Sequence, residues 1–416
     1  MVRSHRQFSR SGAIAVALAA IAIAGCSTGT STAASSSSSS SPPTTSLSTS
    51  TTTSGHKRFA LSDVRHVFVI VLENQSYSAT FGSKSDDPYL ASTLVSEGAL
   101  LNQFYAIGHH SADNYIAMIS GQPPTTETQA DCGNFVNISG SLGPGGIETG
   151  DGCVYPANVE NVGTQLTTAG LSWKAYMQDM GNIPSREAAA CGHPPINSPD
   201  GTQAAAQGDG YATRHDPFVY FHSVIDRAQY CDSHVVALGG ANGQMPASAV
   251  PGETGLASDL RSMSTTPNFS FITPNLCNDG HDFPCANQPS GQSAYADYDS
   301  FLQTWVPKIM GSPAFKQNGM LIVTFDEAET GSQADASCCG EYPGPVASQP
   351  GENGPGGGLV GAVVLSPFVR AGTVSRVPYN DFSLLATVED IFGLPKLAEA
   401  KTTTSVFGAD VFDRPN

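Results

Sequence analysis

Six consecutive apolar residues, Val67-Phe68-Val69-Ile70-Val71-Leu72, run without alternation directly into Glu73-Asn74. A strand of that kind is buried on both faces, which is the habit of a parallel sheet covered by helices. Met320-Leu321-Ile322-Val323-Thr324-Phe325 repeats the pattern and ends on Asp326-Glu327. Ligands of open α/β sheets collect beyond the carboxyl ends of the strands, so two acidic pairs delivered there are the first candidates to hold a ligand or a metal ion.

Between and after these runs the chain reads as alternating helices and strands. Asp86-Asp87-Pro88 predicts a helix start, with Leu90, Leu94, Val95 and Leu101 at helical spacing. Val162, Leu166 and Ala169 before Gly170 predict a second helix, and Pro217 to Tyr230 a third. Asn268 to Ile272 predicts a strand, Phe301, Trp305 and Ile309 an amphipathic helix, and Leu359 to Val369 a further strand. A final helix, capped by Asn380 or Asp381 and carrying Leu384, Leu385, Val388, Ile391 and Phe392, ends at Gly393. A broadly βαβα order in 416 residues with 40% hydrophobic content suits one large α/β domain, and no internal repeat or second boundary interrupts it.

The N-terminal residues read as an address. Arg3, Arg6 and Arg10 precede an apolar run from Ala13 to Ala24, too short to span a bilayer and shaped like a secretory signal. Ile23-Ala24-Gly25-Cys26 resembles a lipobox, so residues 1–25 are expected to be removed and Cys26 lipidated; a plain signal with an incidental cysteine is the alternative. Residues 26–57 are mostly Ser, Thr, Ala, Gly and Pro, a composition that buries too little to fold, and are expected to tether a domain over residues 58–416 to the membrane. A net charge of −17 and no basic patch argue against nucleic acid or an anionic surface as partner. A phosphate-bearing substrate would need a cation to receive it. Nine cysteines less Cys26 leave eight, an even number that suggests disulfides in an exported chain. Cys132 with Cys153 and Cys191 with Cys231 are the sequence-local pairs, while Cys338 and Cys339 are open to pairing with each other or with the Cys277/Cys285 region. A thiolate metal site lacks the usual C-x-x-C spacing.

Gly108-His109-His110-Ser111-Ala112-Asp113-Asn114-Tyr115 contains the candidate nucleophile. A helix from Ala112 to Ile119 would make Ser111 its N-cap, beside free backbone N–H groups that suit both an attacking oxygen and an anion. An ordinary capping serine is the bland reading of the same pattern.

Glu73-Asn74, Ser111 three residues before Asn114, Asn275 to Asp282 with Asp279 and His281, and Asp326-Glu327 occur in this order. Together they resemble the phosphoesterase family of bacterial acid phosphatases and phospholipases C, within the alkaline-phosphatase-like superfamily. The resemblance implies an α/β/α three-layer sandwich with a mostly parallel central sheet. It also implies a divalent metal ion, of unspecified identity, held by Glu73, Asn74, Asp326 and Glu327 beside Ser111 as nucleophile. A phosphate ester would be the substrate, with His281 and His215 as candidates to protonate the leaving oxygen or bind phosphate, or else as ordinary hydrogen-bonding residues. Relatives tend to carry histidine where Asp381 stands, so an anion there would repel phosphate if the position contacts it. Phosphomonoesterase, phospholipase C and a non-catalytic surface lipoprotein all remain compatible with these residues, whereas the Cys/Ser-x-Pro-x-Arg context of sulfatases is absent.

Overall fold

The computed structural model describes residues 60–83, 85, 87–286, 293–328, 336–341, 356–403 and 405–412. The expected signal segment, Cys26, the tether and Asp86 lie outside them. Among the described residues no helix is long and apolar enough to cross a membrane.

An eight-stranded sheet forms the core of the unit spanning His56–Asn416. Its strands are β1 (His66–Leu72), β2 (Ala99–Leu101), β3 (Trp173–Met177), β4 (Val235–Ala237), β5 (Phe269–Thr273), β6 (Gly319–Phe325), β7 (Ala362–Leu365) and β8 (Thr373–Ser375). They lie in the order β8-β2-β7-β6-β1-β5-β3-β4, and only β7 runs antiparallel to its neighbours. The two apolar runs are therefore neighbours at the centre of the sheet. Their register matches Leu72 to Phe325, which sets Glu73 and Asp326 side by side just past the strand ends. Every residue of β1 and β6 is buried, as the absence of alternation requires when helices cover both faces. Each such Val, Leu or Ile contributes roughly 1.5–3 kcal/mol by leaving water. The result is the three-layer α/β/α sandwich with a mostly parallel sheet.

Four helices frame the site and the sheet: α1 (Ser111–Ser120), α2 (Val162–Thr168), α3 (Ala294–Gly311) and α4 (Asp381–Phe392). Asn161 caps α2 through Thr164 N–H at 3.0 Å, and Gly163 lets the helix sit on β3, because a Cβ there would meet the Trp173 ring at 2.7 Å. Asn380, not Asp381, caps α4, accepting from Ser383 N–H at 3.0 Å; Asp381 is the first helical residue. A short parallel pair, Phe104–Tyr105 with Tyr379–Asn380, brings the start of α4 against the segment that leads into α1.

Three expected elements differ. The first helix ends at Glu97, where Gly98 leaves helical geometry, and Leu101 belongs to β2. Pro217 to Tyr230 is three short helical pieces, because Phe221 is extended and Arg227 is non-helical. The expected strand from Leu359 to Val369 is ordered as strand only at Ala362–Leu365, and the helix Pro313–Asn318 intervenes between α3 and β6. The eight described cysteines pair as Cys132–Cys153, Cys191–Cys231, Cys277–Cys285 and Cys338–Cys339, which leaves none of them for a thiolate metal site.

Candidate active site

Glu73 lies at the centre of the buried groups beyond β1, β5 and β6. It is inaccessible to solvent, accepts from Ser111 Oγ at 2.9 Å through Oε2, and accepts from the Tyr115 hydroxyl at 2.6 Å through Oε1. Burial, then the charges of Asp326 and Asp279, push its pKa well above the ordinary carboxyl range. Asp326 Oδ1 accepts from the Asn74 N–H at 2.9 Å, and Asn74 holds the left-handed φ of 61° that this turn requires. Burial, followed by the Glu327 charge, raises Asp326 to about 7. Asp279, in the turn after β5, accepts from His281 N–H at 2.8 Å, and burial pushes it to about 8.

Ser111 is the first residue of α1 rather than its N-cap; that position is His110, with φ 77°. The serine reaches Glu73 because the preceding turn is fixed from inside. Asn114 Oδ1 accepts from Ile107 N–H at 2.9 Å and Gly108 N–H at 3.0 Å, while its Nδ2 donates to the carbonyls of Gly108 at 2.7 Å and His110 at 3.0 Å. Asn114 is thus the brace of the turn that carries Ser111, with both ends of its amide occupied. Glu327 Oε2 accepts from His110 N–H at 2.9 Å and lies 2.5 Å from His109 Nδ1, so that carboxylate also anchors the turn. The expected free amides are partly occupied, since Asp131 Oδ1 accepts from Ala112 N–H at 3.1 Å.

His215 is buried and stacks on Tyr115 with centroids 5.0 Å apart. Its Nε2 lies 3.3 Å from Glu73 Oε1 and its Nδ1 3.2 Å from Asp279 Oδ2, neither in hydrogen-bond geometry. Burial, aided by Arg214 and His281, drives its pKa well down, so the ring is neutral. A neutral imidazole has one N–H, so one carboxylate faces a lone pair. His281 is half-buried; Arg214 Nη2 donates to its Nε2 at 3.0 Å, and its Nδ1 donates to Asp282 at 2.8 Å.

Sequence reasoning missed four participants. Tyr115 holds Glu73, and buried Arg214 brings a guanidinium to His281 and, at 3.8 Å, to Asp131. Asp131 also lies 3.5 Å from His110 Nδ1 and raises that ring's pKa. Asp113 is buried with neither carboxyl oxygen hydrogen-bonded, and burial, then Glu327, pushes its pKa well up. Each lies far from the motifs' partners in sequence or inside a helix, where only burial in the fold marks it, as in the buried run Thr213 to Asp216. Asp381 accepts from Ile107 N–H at 3.3 Å and its other oxygen has no hydrogen-bond partner; burial, then the Glu341 charge, pushes its pKa well above the ordinary carboxyl range beside the turn that carries Ser111. Glu341 accepts from Asn380 Nδ2 at 2.9 Å and from Cys338 N–H at 3.2 Å, a brace rather than a ligand.

A divalent cation fits this donor set. Asn74 Oδ1, Asp326 Oδ2, Asp279 Oδ2 and both His215 nitrogens are buried without hydrogen-bond partners, a costly state that a cation relieves. Glu73, His215 and Asp279 offer donor atoms all within 4.8 Å of one another. Of the four residues expected to hold metal, Glu73, Asn74 and Asp326 meet at adjacent strand ends, whereas Glu327 Oε2 is engaged with His109 and His110 in the turn before Ser111.

The sequence matches the Phosphoesterase family over residues 84–395. A phosphate-repressible acid phosphatase of Penicillium chrysogenum is 25% identical over 74% of this chain and 55% of its own length. A phosphatidylinositol-3-phosphatase of Mycobacterium tuberculosis is 25% identical over 82% of this chain and 81% of its own. This chain thus spans little more than half the length of the fungal acid phosphatase. Among solved structures, a protein of the alkaline phosphatase superfamily from Vibrio parahaemolyticus aligns at 13% identity with a TM-score of 0.43, covering 84% of this chain and 72% of that one. With three quarters of its length inside the family match at residues 84–395, the chain belongs to the Phosphoesterase family.

Proposed function

We propose that this chain is an exported, metal-dependent phosphomonoesterase of the acid-phosphatase type, with Ser111 as nucleophile. The observation that carries the reading is the Ser111 Oγ–H donated to buried Glu73, with Asp326 in register beside it. The similar proteins named acid phosphatase and phosphatidylinositol-3-phosphatase support a monoester substrate over the diester of a phospholipase C. A lipid anchor at Cys26 would hold the domain at the membrane, where a phosphorylated lipid headgroup is within reach.

Glu73, Asn74, Asp326, Asp279 and His215 would hold the cation, which when bound supplies charge compensation for the phosphoryl oxygens and lowers the affinity of the serine for its proton. Ser111 Oγ, oriented by Glu73 and carried at the head of α1, attacks phosphorus in line and gives up its proton toward Glu73. His110, at the solvent side of Ser111 and kept protonated by Asp131, gives its proton to the departing alkoxide. Water then attacks phosphorus as it gives a proton to His110, the bond to the serine oxygen breaks, and Ser111 takes its proton back from Glu73. His281, with both ring nitrogens engaged by Arg214 and Asp282, positions the Arg214 guanidinium rather than donating a proton.

Turnover of p-nitrophenyl phosphate by the full chain, with and without chelator and beside Asp326→Ala, tests the reading. Chelator-sensitive release of phosphate supports it. A metal-replete preparation that hydrolyses neither this ester nor a phosphoinositide monophosphate would contradict it and favour a binding lipoprotein.

A further inference from the structure

Cys338 and Cys339 are neighbours in the chain and are disulfide-bonded to each other, whereas the other three described pairs join residues 8 to 40 positions apart. A disulfide stabilises a fold mainly by closing a loop of the unfolded chain, so one that closes a single peptide unit constrains little and acts by local shape instead. Cys339 is exposed, while each of the other described pairs has at least one buried member.

The shape it holds leads to the turn that carries Ser111. Cys339 and Gly340 both take left-handed φ, 67° and 88°, and this tight turn brings Glu341 back onto Cys338, whose N–H donates to Glu341 Oε2 at 3.2 Å. Glu341 Oε1 accepts from Asn380 Nδ2 at 2.9 Å, which leaves Asn380 Oδ1 to cap α4 through Ser383 N–H at 3.0 Å. The next residue, Asp381, accepts from Ile107 N–H at 3.3 Å. A second path is shorter. Gly358 N–H donates to the Ala336 carbonyl at 3.0 Å, and Gly357 N–H donates to the Ala106 carbonyl at 3.0 Å.

Cys338 Sγ lies 3.5 Å from the Tyr379 carbonyl oxygen. In the disulfide that sulfur has no hydrogen to offer. Reduced, its S–H can donate there, so the two redox states differ in their contacts as well as in ring closure. We propose that the Cys338–Cys339 disulfide is a redox-sensitive positioning element for the active site, holding Glu341 and Asn380, and through them the turn before Ser111, only while oxidised. A dithiol is the reductant. Its thiolate attacks Cys339 Sγ, and Cys338 departs with the electron pair of the S–S bond and takes a proton. The second thiol of the reductant then displaces Cys339, which is protonated in turn, and the reductant closes its own disulfide. The effect on turnover rests on the phosphoester reading; the effect on the turn does not.

Graded dithiothreitol on the full chain under native conditions, with alkylation mapped by mass spectrometry, tests it. Cys338 and Cys339 are expected to be labelled at dithiothreitol at least about tenfold below that needed for the other six described cysteines. Backbone hydrogen exchange across residues 105–115 should rise with that labelling, kcat for p-nitrophenyl phosphate should fall by about tenfold, and both should return on reoxidation. Glu341→Ala should loosen the same turn in the oxidised chain, and Cys338→Ser with Cys339→Ser should be loose from the start and unresponsive to dithiothreitol. Labelling of this pair no sooner than the others, or labelling without a rise in exchange across 105–115, would overturn the proposal, as would an unchanged kcat in a reduced chain that does turn over. A looser turn in a chain that hydrolyses no ester in either state would uphold the element and remove the phosphoester reading.

Discussion

Tyr115 and Ser111, one helical turn apart on α1, both donate to the same carboxylate, the phenol to Glu73 Oε1 at 2.6 Å and the serine to Oε2 at 2.9 Å. The helix thereby grips the end of β1, and Ser111, the nucleophile we propose, is set by a strand distant in sequence. The carboxylate proposed to take its proton is in place before any substrate arrives.

The cation assignment predicts distinct metal contents. Glu73→Gln and Asp326→Asn each remove a charged donor, so metal affinity is expected to fall by at least about tenfold. Glu327→Gln, whose carboxylate braces His109 and His110, should retain most of the metal while losing turnover. Elemental analysis after dialysis at fixed free metal distinguishes the two classes.

Asn114→Ala leaves the Gly108 N–H without its acceptor and the Ile107 N–H with only its longer bond to Asp381. An unsatisfied buried group costs about 1–3 kcal/mol, and a loss of that size is expected in denaturant unfolding. Turnover should fall further than stability explains at permissive temperature, because the turn that delivers Ser111 loosens.

The apolar runs were legible because burial on both faces leaves a continuous signature, and their acidic ends because strand ends collect ligands. The turn was not. Ser111, Asn114 and Asp113 share one helix, and nothing in their spacing says which faces Glu73, which braces the backbone and which is buried without a hydrogen-bond partner. Arg214 and Asp131 meet only through folding. The segment from Pro217 kept a helical apolar period although Phe221 adopts an extended φ of −127°, since packing of its aromatic ring on Tyr155 overrides local periodicity.

Leaving-group protonation by His110 gives a test with a sign. The contact with Asp131 raises the imidazole's pKa, so the protonated form persists below that raised value and turnover is lost as pH rises through it. His110→Gln should lower kcat by about 10²–10³-fold for alkyl phosphates and much less for p-nitrophenyl phosphate, whose leaving group needs no proton. Equal losses on both esters would remove the acid role.

Stability should favour acid. Burial, the hydrogen bond with Asp299 and that neighbour's charge push Asp87 up to about 8 from 3.8, and burial pushes Glu389 to about 8. Such groups hold extra protons in the folded state, so stability is greatest below 3.8 for this term and falls as pH rises toward 8. Calorimetry should find a lower melting temperature at the alkaline end of that window, with a shallower decline in Asp299→Asn.

The central claim is that Ser111 takes the phosphoryl group. Acid-quenching the full chain during turnover of a phosphomonoester and mapping peptides by mass spectrometry tests it most directly. Phosphate on the peptide holding Ser111, absent in Ser111→Ala and in the chelated protein, is the expected result. Active turnover with no phosphoserine at any quench time or pH, or undiminished turnover in Ser111→Ala, would contradict it.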